Sequence, residues 1–291
     1  MDLTTFASQV GPPDAGPVTI EGDSTRGGAV AHCRRVSAPS GIESIHPDEM
    51  IVSCGAATRV VDLDEALAEV GQCVALPRVG TVGGALAVGH SDFRRLGYGP
   101  VRDTLLQAHY VSAGGDVVKA GGPTVKNVSG FDLCRLLVGS RGTLGFIGAV
   151  ILRTRPLPPV SRWFTTNADP WKTFAQLYRP VSVLWDGVTT WVLLEGHPDD
   201  VREQAAAAAL ISTSEPPVLP TASRRSMPPA KLRTLSGGAG FVAEIGIGVV
   251  HHSVPSTRGC ADAGVLALHE RIKVQFDPTR RLNPGVDLFD V

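Results

Sequence analysis

Three glycine-rich segments carry the residues best suited to chemistry, and the first of them runs from Gly22 to Gly28. This first loop follows an apolar strand and begins Gly22-Asp23-Ser24-Thr25-Arg26. Small residues at such a point let several backbone N–H groups converge on a phosphate or pyrophosphate, while the hydroxyl and guanidinium groups add further donors. A cluster of this kind between two strands is equally typical of an ordinary turn, so both interpretations stand at this point.

The second loop, Gly80 to Ser91, places its glycines among Val, Ala and Leu, which is unlike the polar composition of a surface linker. Backbone with so few side chains suits close approach to a flat ligand, with amides offered to its polar edge. The alternative is tight backbone packing at a bulge or a helix start. The candidate ligand-binding residues here are Gly80, Thr81, Val82, Gly83, Gly84, Gly89 and Ser91.

The third loop, Gly139 to Ile147, follows a Lys126-Asn127-Val128-Ser129-Gly130-Phe131 string and enters a predicted strand. Its Gly-Thr-Leu-Gly turn again offers amides beside an apolar wall, although each turn taken alone has a purely structural explanation. Three such clusters on one side of an α/β framework favour a ligand site. The candidates in this loop are Gly142, Thr143, Gly145 and Ile147.

The elements that would position these loops are readable from the hydrophobic pattern. Leu63, Ala66, Leu67 and Val70 share a helical face, with Asp62 placed to cap the helix and Gly71 to end it. Strands are predicted at 18–20, 50–53, 105–112, 117–119 and 146–154, the third and fourth forming a hairpin. Residues 1–17 are rich in Pro and Gly and are predicted to be a loose arm, and the tandem prolines 158 and 159 mark a domain boundary.

Beyond that boundary the predicted order is β-α-β-β-α-β, which suggests a ferredoxin-like layer of helices on an antiparallel sheet. The strands are expected at 162–166, 181–185, 190–194 and 241–250, and the helices at 170–178 and 199–210. A last helix is predicted from Ala263 to Phe276, before a turn at Asn283-Pro284-Gly285. The fold class is therefore predicted as α+β.

The composition limits the class of protein. Of 291 residues 43% are hydrophobic and 19% charged, so a packed core is expected and wholesale disorder is not. A net charge of −1 gives no field for nucleic acid or an anionic membrane, and the apolar runs are too short to insert in a bilayer. We expect a cytoplasmic protein without a signal peptide, whose five scattered cysteines are reduced thiols and hold no metal or iron–sulfur cluster.

The strings GTVGGALAVGHSDFRRLGYGPVRDTLL and VKNVSGFDLCRLLVGSRGTLGFI resemble the flavin domain of the vanillyl-alcohol-oxidase-type (PCMH-type) flavoproteins, and within them the smaller FAD-binding subunit of glycolate oxidase. The string FDPTRRLNPG matches the way that family ends. The resemblance covers 18–155 and 264–291, and the middle by architecture only. It implies a two-subdomain FAD-binding domain at 18–157, a small ferredoxin-like cap or substrate domain at 158–250, and a segment at 251–291 that returns to the FAD domain.

The resemblance also implies non-covalent FAD, since no His or Cys stands at the places of covalent attachment. The first loop corresponds to the family's pyrophosphate loop and Gly80–Gly84 to the loop at the diphosphate and ribityl chain. Gly89 and Ser91 would lie near the isoalloxazine ring, and Gly142, Thr143, Gly145 and Ile147 in the last flavin-contacting turn. Implied partners are a small 2-hydroxy acid, a larger flavoprotein subunit and an iron–sulfur subunit.

Two positions depart from the family pattern. Asp23 replaces a glycine of the pyrophosphate loop, so its carboxylate points towards phosphate, points to solvent, or is neutralised by Arg26. Glu244 stands where catalytic relatives carry the first histidine of a His-x-Gly-x-Gly-x-x-His string that positions a metal or the hydroxy acid. No metal site is therefore predicted.

His251, at the end of that string, is the candidate base for the hydroxyl proton of a 2-hydroxy acid, with a structural strand-end histidine as the alternative. Arg94, Arg95 and Arg102 are candidate carboxylate clamps and Tyr98 a candidate donor, each with a purely structural alternative. Three functions remain open: a 2-hydroxy-acid-oxidising flavin subunit, a non-catalytic electron-relay or structural flavin subunit, and a stand-alone flavoprotein acting on a sugar or sugar nucleotide.

Overall fold

A computed structural model describes residues 1–123, 132–235, 240–255 and 262–288, so Lys126–Phe131 of the third motif and Cys260 lie outside the described residues. The α-helices in these ranges are α1 (Thr4–Val10), α2 (Val60–Glu69), α3 (Val82–Val88), α4 (Arg95–Tyr98), α5 (Leu133–Leu137), α6 (Pro170–Gln176), α7 (Pro198–Ala207) and α8 (Ala263–Phe276). Short 3₁₀ turns occupy Pro13–Ala15, Pro47–Glu49, Val101–Asp103 and Pro229–Thr234.

The described strands are β1 (Val18–Glu21), β2 (Arg34–Ser37), β3 (Ile42–His46), β4 (Ile51–Gly55), β5 (Gln72–Val74), β6 (Leu105–Val111), β7 (Val117–Gly121), β8 (Phe146–Pro156), β9 (Val160–Thr166), β10 (Ser182–Trp185), β11 (Thr190–Gly196), β12 (Ile211–Thr213), β13 (Ser223–Ser226), β14 (Phe241–Glu244) and β15 (Val249–His252). The mixture of helices with antiparallel sheets confirms the predicted α+β class. No helix among the described residues is long and apolar enough to cross a bilayer.

The chain forms two compact units. The first comprises the described residues within Met1–Ser91, Pro100–Leu157 and Cys260–Asp290, and the second those within Asp92–Gly99 and Pro158–Gly259. The short segment 92–99 thus belongs to the second unit, although the sequence placed it inside the 18–157 domain. The second unit also keeps β15, through His252, which the sequence divided between the cap and the C-terminal segment.

The first unit is built around a sheet in the order β3-β4-β8-β6-β7, with β5 added to β8, and a separate parallel pair β1-β2. The predicted hairpin is confirmed as β6 and β7, which pair antiparallel. Helix α2 forms as its periodicity predicts, because Leu63 and Leu67 are fully buried. Its N-cap is Arg59 and not Asp62, which lies in the first turn.

The first seventeen residues are folded and not the loose arm that their composition predicted. Helix α1 buries Phe6 and Val10 in a small hydrophobic cluster with Val18 and Phe146. The buried Arg281 guanidinium donates to two carbonyls at the end of α1, those of Val10 (2.6 Å) and Gly11 (2.9 Å). Two apolar anchors and these charge-assisted bonds are enough to order a segment that Pro and Gly would otherwise leave extended.

The second unit is a seven-stranded antiparallel sheet in the order β12-β9-β11-β10-β14-β15-β13. The strands β9, β10, β11 and β12, with α6 and α7, form the β-α-β-β-α-β unit in the order 4-1-3-2, which confirms the ferredoxin-like architecture. One prediction was wrong. Residues 241–250 are not a single strand that closes this motif; β12 closes it, and 241–252 folds into the hairpin β14–β15.

That hairpin turns at two glycines inside an otherwise apolar run. Gly246 and Gly248 have φ of 84° and 87°, values at which other L-residues are strained. The turn brings Glu244 opposite Val249, and the face of the hairpin that carries Ala243 and Val250 packs into the core beneath the helices. The opposite face carries Glu244 and His251.

Candidate functional site

A cleft of about 1090 Å³, counting its open mouth, lies in the first unit. All three glycine-rich loops contribute to it, together with the C-terminal segment. Apolar lining comes from alanines and from Val88, Phe146 and Ile147. The sequence-predicted residues that line the cleft are Gly22, Asp23, Ser24, Thr25, Arg26, Thr81, Gly83, Gly84, Gly142, Gly145 and Ile147.

The first and second loops pack against each other through glycines. A Cβ at Gly80 would lie 2.2 Å from the Thr25 hydroxyl oxygen, and a Cβ at Gly22 would lie 3.3 Å from that of Thr81. Thr81 also caps α3, because its Oγ1 accepts from the Gly84 amide at 3.1 Å. The helix-start alternative for the second loop is therefore correct, and it coexists with a place in the cleft wall.

The third loop is held against the C-terminal segment. A Cβ at Gly142 would lie 2.7 Å from Asn283 Nδ2, and one at Gly145 would lie 2.4 Å from the Tyr110 ring. Asn283 Nδ2 donates to the Arg141 carbonyl at 2.7 Å, and its Oδ1 accepts from the Ile20 amide at 3.2 Å. One buried amide side chain therefore ties the third loop to β1, which leads into the first loop.

Three non-glycine residues of the cleft have left-handed backbone conformations. Ser24, Arg141 and Asn283 have φ of 54°, 50° and 43°. Such conformations cost of the order of 1 kcal/mol or more each and persist where the surroundings fix them. These three positions all line the cleft, while the other five described non-glycine residues with positive φ lie elsewhere.

Both carboxylates that line the cleft are paired with an arginine. Asp23 Oδ2 lies 3.5 Å from Arg59 Nε, and Glu21 Oε1 lies 3.1 Å from Arg35 Nη1. Arg26 does not supply the partner that the sequence allowed for Asp23; it reaches the Pro77 carbonyl at 3.4 Å. The pairing reduces the negative field that a bound diphosphate would meet.

A buried ion pair supports the third loop from below. Asp277 is fully buried and receives Lys273 Nζ at 2.7 Å together with the Leu282 amide at 2.8 Å. The same ammonium donates to the Thr143 carbonyl at 2.7 Å. Lys273 and Asp277 thereby tie the end of α8 to the third loop and to the segment at Arg281 and Leu282.

Five predicted residues do not line the cleft. Val82 and Thr143 are buried beneath it, and Gly80 packs on Thr25. Gly89 ends α3 with φ of 70° beside Gly139, and the Ser91 hydroxyl accepts from the Val101 amide at 3.0 Å. These five shape the walls, and their contact with a ligand stays a prediction.

Sequence reasoning missed several residues of the site. Asn283 was assigned only to a turn, and Arg59 and Lys273 gave no local signal, because their partners lie far away along the chain. Asn tolerates left-handed backbone better than most residues, but a following proline favours extended backbone, so the φ of 43° at Asn283 had no local signal.

In the second unit His251, the predicted base, is hydrogen-bonded to Glu244, which stands where the family string has its first histidine. His251 Nε2 lies 2.8 Å from Glu244 Oε1, and the two side chains are 12% and 3% exposed. The described residues contain no cluster of three His, Cys, Asp or Glu side chains that could hold a metal ion.

The other polar candidates have structural partners. Tyr98 donates to Glu195 at 2.7 Å, Arg94 pairs with Asp92 at 2.8 Å, and Arg102 lies 3.8 Å from Asp103. Burial is the main cause of the lowered pKa of the Arg224 guanidinium, and the charge of nearby Arg95 lowers that pKa further.

The lining of the cleft is chemically suited to a dinucleotide such as FAD. An added Cβ at several lining glycines would lie within 3.3 Å of a neighbouring protein atom, so the cleft presents bare backbone there, at Gly22, Gly83, Gly84, Gly142 and Gly145. Apolar side chains and two arginines, Arg26 and Arg141, complete the lining. FAD would be held by the first and second loops at its diphosphate and by the third loop along its ring system.

Comparison with known proteins agrees with this geometry. Residues 16–121 match the family described as FAD binding domain. Glycolate oxidase subunit GlcE of Escherichia coli (strain K12) is 28% identical over 218 residues, which are 69% of this chain and 61% of that protein. A D-lactate dehydrogenase of Archaeoglobus fulgidus is 36% identical over 134 residues, 44% of this chain and 29% of that protein.

The fold is shared more widely than the sequence. A solved structure of alkyldihydroxyacetonephosphate synthase superposes with a TM-score of 0.70 at 12% identity, over 98% of this chain and 74% of that one. The chain thus spans less than two thirds of the length of the curated relatives it matches first. The domain match and these relatives together show that the chain resembles FAD-binding flavoproteins, with residues 16–121 matching a FAD binding domain.

Proposed function

We propose that this chain binds FAD non-covalently and oxidises a small 2-hydroxy acid, glycolate or D-lactate in type, as one subunit of a larger complex. The observation that carries the proposal is the convergence of the three glycine-rich loops on one apolar cleft. The names of the two relatives, a glycolate oxidase subunit and a D-lactate dehydrogenase, support the choice of substrate class.

The proposed oxidation needs a bound cofactor and a proton acceptor. Bound FAD would accept the electron pair and the hydrogen of the substrate's C2–H bond. The first unit holds and orients the cofactor through loop amides, Arg26 and the apolar wall at Ile147. We assign the hydroxyl proton to His251, the predicted base that is hydrogen-bonded to Glu244, so that loss of this proton and of the C2 hydrogen converts the hydroxy acid to a 2-oxo acid.

The partners proposed are a larger flavoprotein subunit and an iron–sulfur subunit. Electrons that reach FAD must leave it, and the cysteines of this chain are not spaced for a cluster. The thiols of Cys54 and Cys134 are also unsuited to redox exchange, since burial raises the pKa of the first to about 12 and of the second to about 11.

A relay subunit that never touches substrate is the second candidate. It is favoured by Glu244, a fully buried carboxylate bonded to His251, at the place where catalytic relatives use a histidine. In that case the flavin would exchange electrons only with partner subunits.

The test is an anaerobic absorbance spectrum of the purified chain loaded with FAD, before and after addition of glycolate and, separately, D-lactate. Bleaching of the flavin band supports direct oxidation, and a band that stays oxidised assigns the relay role. Acid precipitation of the same sample should leave the flavin in the supernatant, whereas a yellow pellet would contradict non-covalent binding. Absence of flavin even after incubation with excess FAD would overturn the proposal.

A further inference from the structure

One face of the second unit's sheet carries a row of polar side chains on three neighbouring strands. Arg224 on β13 pairs in register with His251 on β15, which pairs with Val242 on β14. Since side chains alternate along a strand, Glu244 lies on the same face as Val242, His251 and Arg224. The opposite face, with Ala243 and Val250, belongs to the hydrophobic core.

Glu244 is only half satisfied. Its Oε1 bonds to His251, while its Oε2 is buried and has no hydrogen-bond partner among the described residues. A carboxylate that bonds to an imidazole through Nε2–H leaves Nδ1 as the second ring nitrogen, free to accept. Buried acceptors without a donor are rare in native proteins and concentrate at functional sites.

Arg224 supplies a positive charge on the same face of the sheet as Glu244. It is half-buried, and its guanidinium makes no hydrogen bond or ion pair to any residue that the structure describes. Burial lowers its pKa, the nearby Glu244 carboxylate raises it, and Arg95 lowers it further. Glu244 acts on Arg224 through its charge but does not come within ion-pair distance, so the partly desolvated guanidinium keeps its donors available for a carboxylate.

The same charges are unfavourable for a metal. A divalent cation at Glu244 and His251 would lie close to two arginines, and the bond between the two side chains would have to break first.

We propose that Arg224, His251 and Glu244 form a metal-independent subsite for a small 2-hydroxycarboxylate, in which Arg224 binds the carboxylate and Glu244 is a positioning residue for His251. Glu244 holds the imidazole in one orientation and one tautomer and balances the positive charge when the ring takes a proton. This inference rests on the proposed function, because it names the groups that would hold the substrate of that reaction.

The binding experiment uses the FAD-loaded chain and oxalate, a carboxylate probe that has no C–H bond to oxidise. Calorimetric titration should show that R224A weakens oxalate binding by about tenfold or more, as expected for loss of a charge-assisted bidentate contact. R224K should recover part of the affinity. The matched control is R225A, since Arg225 is the next residue on β13, pairs with Val250 and points to the other face. Treatment with EDTA should leave binding unchanged.

The positioning role has a spectroscopic signature. In ¹⁵N spectra of the histidine rings, His251 should show the Nε2–H tautomer, and E244A should abolish that preference without moving the ring signals of His252, which lies on the other face. E244A should also slow flavin reduction by glycolate more than it weakens oxalate binding, because Glu244 acts through His251.

The outcomes separate this inference from the function on which it rests. Equal oxalate affinity for R224A and R225A, or loss of binding in EDTA, overturns the subsite. Oxalate binding that depends on Arg224 in a chain whose flavin glycolate never reduces would leave the subsite standing and remove the oxidation. If R224A fails to fold, R224K and R225A still decide the matter.

Discussion

Asp23 Oδ2 and Arg59 Nε lie 3.5 Å apart, and this pair joins the first loop to the N-cap residue of α2. The aspartate is the residue least expected beside a diphosphate, since like charges repel. Arg59 therefore supplies the compensating charge. From the sequence alone, the Asp23 carboxylate could have pointed to phosphate, pointed to solvent or paired with Arg26.

We predict that R59A weakens FAD binding about threefold to fivefold at low ionic strength. The pair is largely exposed, with 62% and 37% of the side chains accessible, so solvent limits its worth to the range of surface ion pairs. The effect should shrink as salt rises, because the Debye length falls to about 10 Å at 0.1 M. Fluorescence titration of the apoprotein with FAD measures it.

The double variant gives the sharper test of the same pair. D23A should bind FAD at least as tightly as the parent, and R59A added to D23A should change little, since no carboxylate is left to compensate. R202A is the matched control, because it removes one arginine from an exposed ion pair with Asp199 in the other unit. If R59A weakens binding equally in both backgrounds, Arg59 contacts the phosphate directly.

A second prediction concerns the wall of the cleft at α3. Ala87 lines the cleft on this short helix, and leucine is a good helix former, so A87L should fill space without disturbing the backbone. We expect FAD affinity to fall by at least tenfold while the thermal midpoint of the apoprotein stays within a few degrees. A68L, the same change at an exposed position of α2, should leave FAD affinity unaltered. Unchanged affinity in A87L would place the cofactor elsewhere.

A third prediction concerns the buried pair beneath the third loop. D277A removes the acceptor of Lys273 Nζ and of two backbone amides, at Arg281 and Leu282. Breaking a buried pair from one side commonly costs 3–5 kcal/mol, and the partial exposure of Lys273 places our expectation near the lower end, about 3 kcal/mol. Urea unfolding measures the change in the free energy of unfolding.

The control for this prediction is E270A, which removes the exposed partner of Arg280 on the same helix. A surface pair of this kind is worth about 0–1 kcal/mol. Similar losses in D277A and E270A would show that the Asp277 network does not hold α8 in place. D277N should fall between the two, since an amide oxygen still accepts from Leu282 but carries no charge for Lys273.

Features that depend on residues close together in the sequence were predicted more accurately than features that depend on the tertiary structure. The α2 periodicity and the β6–β7 hairpin are local patterns, and both were predicted correctly. Helix α1 was missed because its two buried anchors, Phe6 and Val10, are outnumbered by Pro and Gly in the same segment. The β14–β15 hairpin was read as one strand because Gly246 and Gly248 sit within apolar residues, and only their backbone angles reveal the turn.

The same distinction between local and distant interactions applies to the candidate site. The glycine loops were predicted because close backbone approach requires glycine, and a local excess of glycine is visible in the sequence. The compensation of Asp23 by Arg59 joins residues 36 positions apart, and the link from Lys273 to Thr143 joins residues 130 apart. Neither has a local signature, so only the tertiary structure could supply them.

The last prediction is a pH dependence of stability centred on His109. Its pKa in the folded chain lies below the ordinary 6.5, mainly because β6 half-buries the ring, and also because Lys119 and the N-terminal amine repel its charged form; Glu43 opposes them. A histidine with a lowered pKa contributes to stability while it is neutral. That contribution is complete above pH 6.5 and is lost as the pH falls through 6.5 towards the folded pKa, since the unfolded chain takes the proton first.

The urea midpoint of the parent should therefore fall more steeply between pH 7 and pH 5 than that of H109Q, whose side chain does not titrate in this range. H46Q, at an exposed histidine of β3, is the control and should follow the parent curve. Parallel curves for the parent and H109Q would contradict the assignment.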